Sequence, residues 1–240
     1  MAAHFGPLAA RKRVLYQRRL RRIGPPTGER RLCDLGCGDG QFLELARDHG
    51  WDVSGIEMNP AAAKRAEERG AVVYEGLVEE TSDVPAGTFD LVTAWDSVEH
   101  TPDPVAFLQA ARSLLRPGGL LALTTLNVNS AVARLYRDGW SMYVEDHFTY
   151  WSRQSLAATL GTAGFSVTEQ WGAGIGRDFA KLANHLPRRR SSSAEVDSSS
   201  SSQSGFDSDP RLTLVEEGIN RALGALRLGV EVGALARRET

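Results

Sequence analysis

Arg31-Leu-Cys-Asp-Leu-Gly-Cys-Gly-Asp-Gly40 is the stretch that decides the fold of this chain. Leu32–Leu35 reads as a short buried strand. Gly36, Gly38 and Gly40 then alternate through a loop, and a helix is predicted from about Gln41 to His49. Glycine here removes Cβ atoms where a ligand must lie against the backbone. A strand, a glycine loop and a helix in series bring backbone N–H groups and the positive end of the helix to the carboxyl edge of a sheet. That edge is where open α/β sheets bind ligands.

The loop discriminates between ligands. A dinucleotide loop needs G-x-G-x-x-G, whereas the third glycine, Gly40, comes one residue early and Gln41 stands in its place. Asp34, two residues before the first glycine, would repel a pyrophosphate and suits a cation. Downstream, Trp51–Gly55 reads as a second strand leading to Glu57. Glu57 falls about twenty residues after the loop, where nucleoside-binding folds put a carboxylate for the ribose. A carboxylate accepts two hydrogen bonds in parallel and so fits a vicinal diol. Ala71–Tyr74 reads as a third strand, Phe89–Trp95 as a fourth and Leu120–Leu126 as a fifth. Asp96-Ser-Val-Glu99-His100-Thr-Pro-Asp103-Pro104 follows the fourth strand. A helix and the turn Arg116-Pro117-Gly118-Gly119 precede the fifth.

Phe-Asp-Leu-Val, Val-Glu-His-x-Pro-Asp-Pro, Leu-Leu-Arg-Pro-Gly-Gly and the later Asp146-His-Phe-Thr-Tyr-Trp-Ser152 occur in a specific order and spacing. Together they resemble the class I S-adenosylmethionine-dependent methyltransferases, in the small-molecule branch that includes the ubiquinone-biosynthesis O-methyltransferases. The match covers about Arg31–Trp171 and, more loosely, Arg211–Arg238. The resemblance implies an α/β fold with a doubly wound, seven-stranded, mostly parallel sheet and one antiparallel strand near the C-terminus. It implies S-adenosylmethionine as cofactor, held by Asp34, Gly36, Cys37, Gly38, Asp39, Gly40, Glu57, Met58, Leu77, Val78, Trp95 and Asp96. Asp34 would face the cofactor's amine and Glu57 its ribose, with Met58 against the adenine. Asp39 has a second reading, as the cap of the following helix. Leu77 departs from the family, where an acid often meets the adenine amine. A backbone carbonyl or Glu79 would serve instead. Packing alone remains an alternative for Trp95 and Asp96.

With 240 residues, 42% of them hydrophobic, the chain can bury one substantial core. A formal net charge of -2 gives no global reason to expect nucleic acid. Trp95-Asp96-Ser97-Val98 also stands where base-modifying methyltransferases carry Asn/Asp-Pro-Pro-Tyr/Phe. The only cysteines, Cys33 and Cys37, have no second pair to complete a zinc site and are expected to be free thiols. No apolar run is long enough to span a membrane, and the first residues lack the apolar core of a signal peptide, so a cytoplasmic protein is expected. Residues 1–30 are read as a basic helical segment, in which Tyr16, Leu20 and Ile23 recur at helical spacing. Its arginines form either a solvated face or a surface for peripheral membrane contact or an acidic substrate. Residues 31–240 form the methyltransferase domain. The Ser-rich tract at 187–210 cannot bury a core and is expected to be a disordered insertion. Leu212–Leu226 has helical periodicity, and Phe165–Trp171 and Val230–Ala236 are assigned to the last two strands.

If the acceptor is a hydroxyl, a base must remove its proton, and histidine suits neutral pH. His4 lies near the start, His49 ends a helix and His185 borders the serine tract, which leaves His100 and His147. His147 is preferred as the acceptor-side base, because Trp140, Tyr143, Phe148, Tyr150 and Trp151 around it can wall a flat or apolar acceptor. The alternative for His100 is a loop-fixing role, and for His147 a packing role. No divalent-metal ligand set is legible, so activity without added metal is expected. Two other functions stay open: a catalytically silent binding protein and a nicotinamide-dependent dehydrogenase. The early Gly40 and Asp34 argue against the second.

Overall fold

The structure, a computed structural model, describes residues 7–26, 28–173 and 229–239. Within them a seven-stranded sheet runs in the order β3-β2-β1-β4-β5-β7-β6. The strands are β1 (Arg31–Leu35), β2 (Asp52–Glu57), β3 (Val72–Glu75), β4 (Phe89–Trp95), β5 (Leu115–Leu126), β6 (Phe165–Ala173) and β7 (Glu231–Arg238). The first five pair in parallel, and β7 runs antiparallel between β5 and β6. The expected doubly wound fold with one antiparallel strand is present. The serine tract, the 212–226 helix, His4 and His185 lie outside the described residues.

Among the described residues six helices accompany the sheet: α1 (Pro7–Ile23), α2 (Gln41–Asp48), α3 (Pro60–Glu68), α4 (Pro104–Leu114), α5 (Ala131–Tyr136) and α6 (Arg153–Thr162). Their starts are written in the sequence. The Asn59 side chain accepts from Ala61 N and Ala62 N ahead of Pro60. The Asp103 side chain does the same for Val105 N and Ala106 N ahead of Pro104. Proline at the first helical position wastes no donor, and such a cap contributes about 1 kcal/mol.

Strand alternation sorts the side chains onto two faces. Leu32, Leu91, Trp95 and Ala122 pack with Leu20, Phe42 and Leu43 on the face covered by α1 and α2. Cys33, Leu35, Val92, Ala94, Leu121 and Leu123 pack with Phe107, Leu108, Leu156 and Leu160 of α4 and α6 on the other. Parity therefore puts Thr124 beside α1 and Thr125 on the opposite face, with consequences for the site.

Most boundaries fall within two residues of the sequence reading, and the largest difference is at the fifth strand. The Arg116–Gly119 turn does not precede the fifth strand but bulges within it, since Leu115 pairs with Phe89 and Leu120 with Leu91. Gly118, at φ 75, permits the bulge.

Candidate active site

The carboxyl ends of β1, β2, β4 and β5 converge on one edge, and the residues singled out in the sequence gather there. Gly36 N and Cys37 N donate to Ile56 O at 2.9 and 3.1 Å, which ties the glycine loop to the end of β2. Gly38 has φ 57, and no heavy atom lies within 4 Å of where its Cβ would be. This face of the loop is open for a ligand. Gly40 is restricted differently. It has φ 76, and a Cβ there would stand 2.7 Å from Ala66 Cβ. Gly40, not Asp39, occupies the N-cap position of α2, and no side chain caps that helix. The capping reading of Asp39 is thereby overturned. Its carboxylate instead accepts from Gln41 Nε2 at 2.8 Å and lies 3.7 Å from Arg69.

Glu57 ends β2 with one oxygen turned to the glycine loop and the other to the start of α3. Oε2 accepts from Gly38 N at 2.7 Å and Oε1 from Asn59 N at 2.9 Å. Each oxygen keeps a further lone pair for a ligand hydroxyl. Met58 beside it is 67% exposed and offers an apolar surface. Asp34 is buried, and its Oδ1 accepts from the Thr93 hydroxyl at 2.6 Å, because β1 and β4 place these two residues in register. Burial pushes the Asp34 carboxyl up to about 7 against the opposing pull of Thr93. Burial likewise raises both thiols, which are free as expected. Leu77 is half exposed and Val78 packs on the core. Neither substitute acceptor for the adenine is idle. The Leu77 carbonyl accepts from Thr81 Oγ1 at 2.6 Å, and Glu79 Oε1 accepts from Thr101 at 3.0 Å.

At the end of β4, Trp95 is buried against Phe42, with ring centroids 5.3 Å apart. Asp96 follows with φ 54. Both of its carboxylate oxygens are held: Thr124 Oγ1 donates to Oδ1 at 2.8 Å, and an arginine from α1, Arg19, donates to Oδ2 at 2.9 Å. Arg19 is buried, also donates to Thr124 Oγ1 at 2.8 Å, and lies 4.6 Å over the Trp95 ring. Glu231, at the start of β7, stands 3.6 Å from Arg19. The sequence reading missed Arg19 and Glu231.

The opposite side of the edge holds the histidines. His100 Nδ1 is 2.9 Å from Asp146 O and His147 Nδ1 is 2.9 Å from Met142 O. A carbonyl can only accept, so each Nδ1 must carry the proton, and Nε2 is left as the basic nitrogen. The two rings meet edge to face at 4.7 Å. Phe148 N donates to Glu99 O at 2.8 Å, so the 146–149 segment is stitched to the turn Val98–His100. His100 therefore does fix the loop. Glu99 is buried, accepts from Thr125 Oγ1 at 2.8 Å, and is pushed up to about 7, first by burial and then by the Asp96 charge. Glu99, His100 and His147 each offer a ligand atom within 4.8 Å of the others, a spacing that can hold a divalent cation. The reading that found no metal-ligand set is corrected to this extent, since the third ligand arrives from a distant loop.

The aromatic segment divides. Trp140 and Trp151 are buried and belong to the core, whereas Tyr143 and Phe148 are exposed. An acceptor wall can thus draw on the latter pair but not on the two tryptophans.

Comparison with known proteins agrees with this geometry. A profile of the methyltransferase domain matches residues 8–170. A ubiquinone biosynthesis O-methyltransferase of Xanthomonas axonopodis pv. citri is 35% identical over 161 residues, which are 60% of this chain and 65% of that protein. Its counterpart in Bordetella avium is 38% identical over 106 residues, 42% of this chain and 44% of that one. The chain spans less than two thirds of the length of these relatives. An S-adenosylmethionine-dependent methyltransferase from Archaeoglobus fulgidus shares the fold, with TM-score 0.62 and 22% identity over 95% of this chain and 94% of that one. One from Mesorhizobium loti gives 0.59 and 17% over 97% and 100%. The chain belongs to the methyltransferase domain family. It shares its fold with S-adenosylmethionine-dependent methyltransferases, and the open Gly38 face beside Glu57 fits that cofactor.

Proposed function

We propose that this enzyme methylates a hydroxyl oxygen of a small molecule, with His147 as the acceptor-side base. S-adenosylmethionine supplies a methyl group already activated as a sulfonium. The protein's part is then to align the acceptor behind that carbon and take its proton. Alignment can supply most of the rate. The observation that carries the reading is the His147 Nδ1 bond to Met142 O, which fixes the ring and presents Nε2 as a base at the ligand edge. Asp34, Gly36, Cys37, Gly38, Asp39 and Gly40 would line the methionyl end, with Trp95 and Asp96. Glu57 would take the ribose, and Met58, Leu77 and Val78 the adenine. The similarity to ubiquinone biosynthesis O-methyltransferases supports a hydroxylated acceptor. The outward Lys12, Arg13 and Arg21 leave a cationic face for the peripheral membrane contact expected of the basic helix. No helix among the described residues is long and apolar enough to cross a membrane.

The test is product structure. The enzyme is incubated with isotopically methyl-labelled S-adenosylmethionine and a panel of phenols, alcohols and amines, and the products are assigned by NMR. O-methyl products are expected. Label on nitrogen or carbon alone would contradict the assignment.

A second reading has its own observation, the Glu99–His100–His147 trio, in which a cation would polarise the acceptor hydroxyl. The two readings part on chelation. With His147 as a simple base, turnover after dialysis against EDTA should equal that of untreated enzyme. A loss restored by added magnesium or zinc would establish the second reading.

The raised Asp34 carboxyl gives a pH dependence with a definite sign. In the free protein Asp34 is largely protonated below about 7. A cationic methionyl group binds the carboxylate, so binding at lower pH must also remove that proton. Affinity for S-adenosylmethionine should fall about tenfold from pH 8 to pH 6, and calorimetry at the two pH values measures it. Asp34→Asn should abolish the difference. An equal Kd at both pH values in the native protein would remove Asp34 from this role.

A further inference from the structure

We propose that Tyr150 is a positioning residue for His147. Its hydroxyl clamps the turn from Met142 to Val144, and so holds the Met142 carbonyl where it keeps the His147 proton on Nδ1. The inference rests on the reading of His147 as the acceptor-side base, and names the group that keeps its ring in the basic form.

Neutral His147 can take a proton on Nε2 only while Nδ1 carries the other one. That Nδ1 proton is held by a backbone carbonyl, Met142 O, at 2.9 Å. The carbonyl opens an exposed stretch. Tyr143, Val144, Glu145 and Asp146 are all exposed, and residues 141–150 lie outside helices and strands. A peptide in such a stretch opens at little cost and turns its carbonyl to water, unless a second group fixes it.

Tyr150 supplies that group. Its Oη donates to Met142 O at 3.2 Å and accepts from Val144 N at 3.2 Å. A phenol has one proton to give, and Val144 O is the more distant acceptor at 3.5 Å. Both lone pairs of the Met142 carbonyl are then in use, one by Tyr150 and one by His147. Val144 O accepts in turn from His147 N at 3.2 Å. Tyr150 and His147 thus grip the same two peptide units, one with its hydroxyl and the other with its ring and amide.

Tyr150 can serve as a fixed post because its own surroundings are held. Phe148 N donates to Glu99 O at 2.8 Å on one side of it. On the other side Trp151 is buried, and its carbonyl accepts from Val128 N at 2.8 Å just beyond β5. The Tyr150 ring packs on the small cluster of Leu126, Val132, Ala133 and Trp140, and meets Tyr143 edge to face at 4.9 Å. Its centroid lies 6.1 Å from that of the His147 ring. The hydroxyl therefore acts on His147 through the Met142 carbonyl, and connects the rigid end of β5 to the imidazole.

Tyr150→Phe removes the hydroxyl and keeps the ring, so it tests the clamp alone. The first readout is the tautomer of His147, observed by NMR of histidine-nitrogen-labelled full chain at pH 8, with His147→Ala assigning the signal. Native protein should show the Nδ1–H form alone, and Tyr150→Phe should show the Nε2–H form beside it. A purely structural Tyr150 would lower Tm and leave the Nδ1–H form alone in the variant, which would overturn the proposal. An Nε2–H ring in native protein would overturn it too. The second readout is hydrogen exchange of the Val144 amide in native protein, which needs no variant to fold. Protection is expected, and exchange at the rate of an unstructured peptide would contradict the clamp. The third is turnover on the phenols of the acceptor panel. Tyr150→Phe should be about tenfold slower, the effect of one lost hydrogen bond, with the Kd for S-adenosylmethionine within about twofold of native. Tyr150→Phe/His147→Ala should be no slower than His147→Ala, because Tyr150 acts through that ring. Fully additive losses would overturn the proposal. The tautomer and exchange readouts need neither acceptor nor turnover. Full turnover in His147→Ala would end the base reading, while the spectra would still decide whether Tyr150 holds the ring.

Discussion

Glu57→Ala should raise the Kd for S-adenosylmethionine at least about 100-fold, the loss expected when hydrogen bonds to a charged acceptor, each about 1.5–3 kcal/mol, are removed. Two effects add. A ribose diol loses its paired acceptor, Gly38 N loses the oxygen that holds the loop against β2, and Asn59 N loses its partner at the start of α3. Glu57→Gln separates them. It retains one acceptor and most of the volume, so it should bind more weakly than native protein and more tightly than the Ala variant. Calorimetric titration of both variants, with Tm measured alongside, checks this. If Glu57→Ala bound the cofactor within threefold of native affinity, the ribose assignment would be wrong.

The second large effect concerns chemistry rather than binding. His147→Ala should lower kcat by about 100- to 10,000-fold, the range typical of a lost general base. It should leave cofactor affinity unchanged, because the partners of the His147 ring are Met142 O, His100 and Tyr150, none of them in the glycine loop. His100→Ala should do less to kcat at saturating cofactor. Its ring holds the Asp146 carbonyl, so its loss would loosen the loop that presents His147 without removing the base. Rapid-quench measurement of the methyl-transfer step in the three proteins gives the comparison. Full turnover in His147→Ala would eliminate it as the base, whatever its binding behaviour.

Much of the cofactor side was legible because its information is local. The Arg31–Gly40 run dictates strand, loop and helix by itself, and Glu57 lies one strand further on. Asn59-Pro60 and Asp103-Pro104 announce two helix starts within a pair of residues. Asp39 shows where local reading fails: an acid beside a helix start looks like a cap, yet Gly40, with φ 76, takes that place. Arg19 was hidden by its neighbours. In a helix rich in arginine, nothing in composition distinguishes the one that turns inward. The signal was there in position, since Arg19 falls three residues after Tyr16 and four before Ile23, within the apolar stripe. Its partners come from the ends of β4 and β5 and from β7, and only the assembled sheet brings Asp96, Thr124 and Glu231 together. The Glu99–His100–His147 trio was illegible for the same reason. Two of its members are adjacent in sequence, but the third arrives on a loop after β5, tied back by the Phe148–Glu99 bond. The aromatic run around His147 was over-read. Trp140 and Trp151 satisfy the core, and an aromatic-rich loop does not reveal which of its rings face outward.

The most direct test of the whole account is a calorimetric titration of the full chain at pH 8 with S-adenosylmethionine and, separately, with NAD. Micromolar, one-to-one binding of S-adenosylmethionine and no heat from NAD are expected. Binding of NAD, or no binding of S-adenosylmethionine, would contradict it, because the early Gly40, the acid at Asp34 and the open face of Gly38 would then have been matched to the wrong ligand.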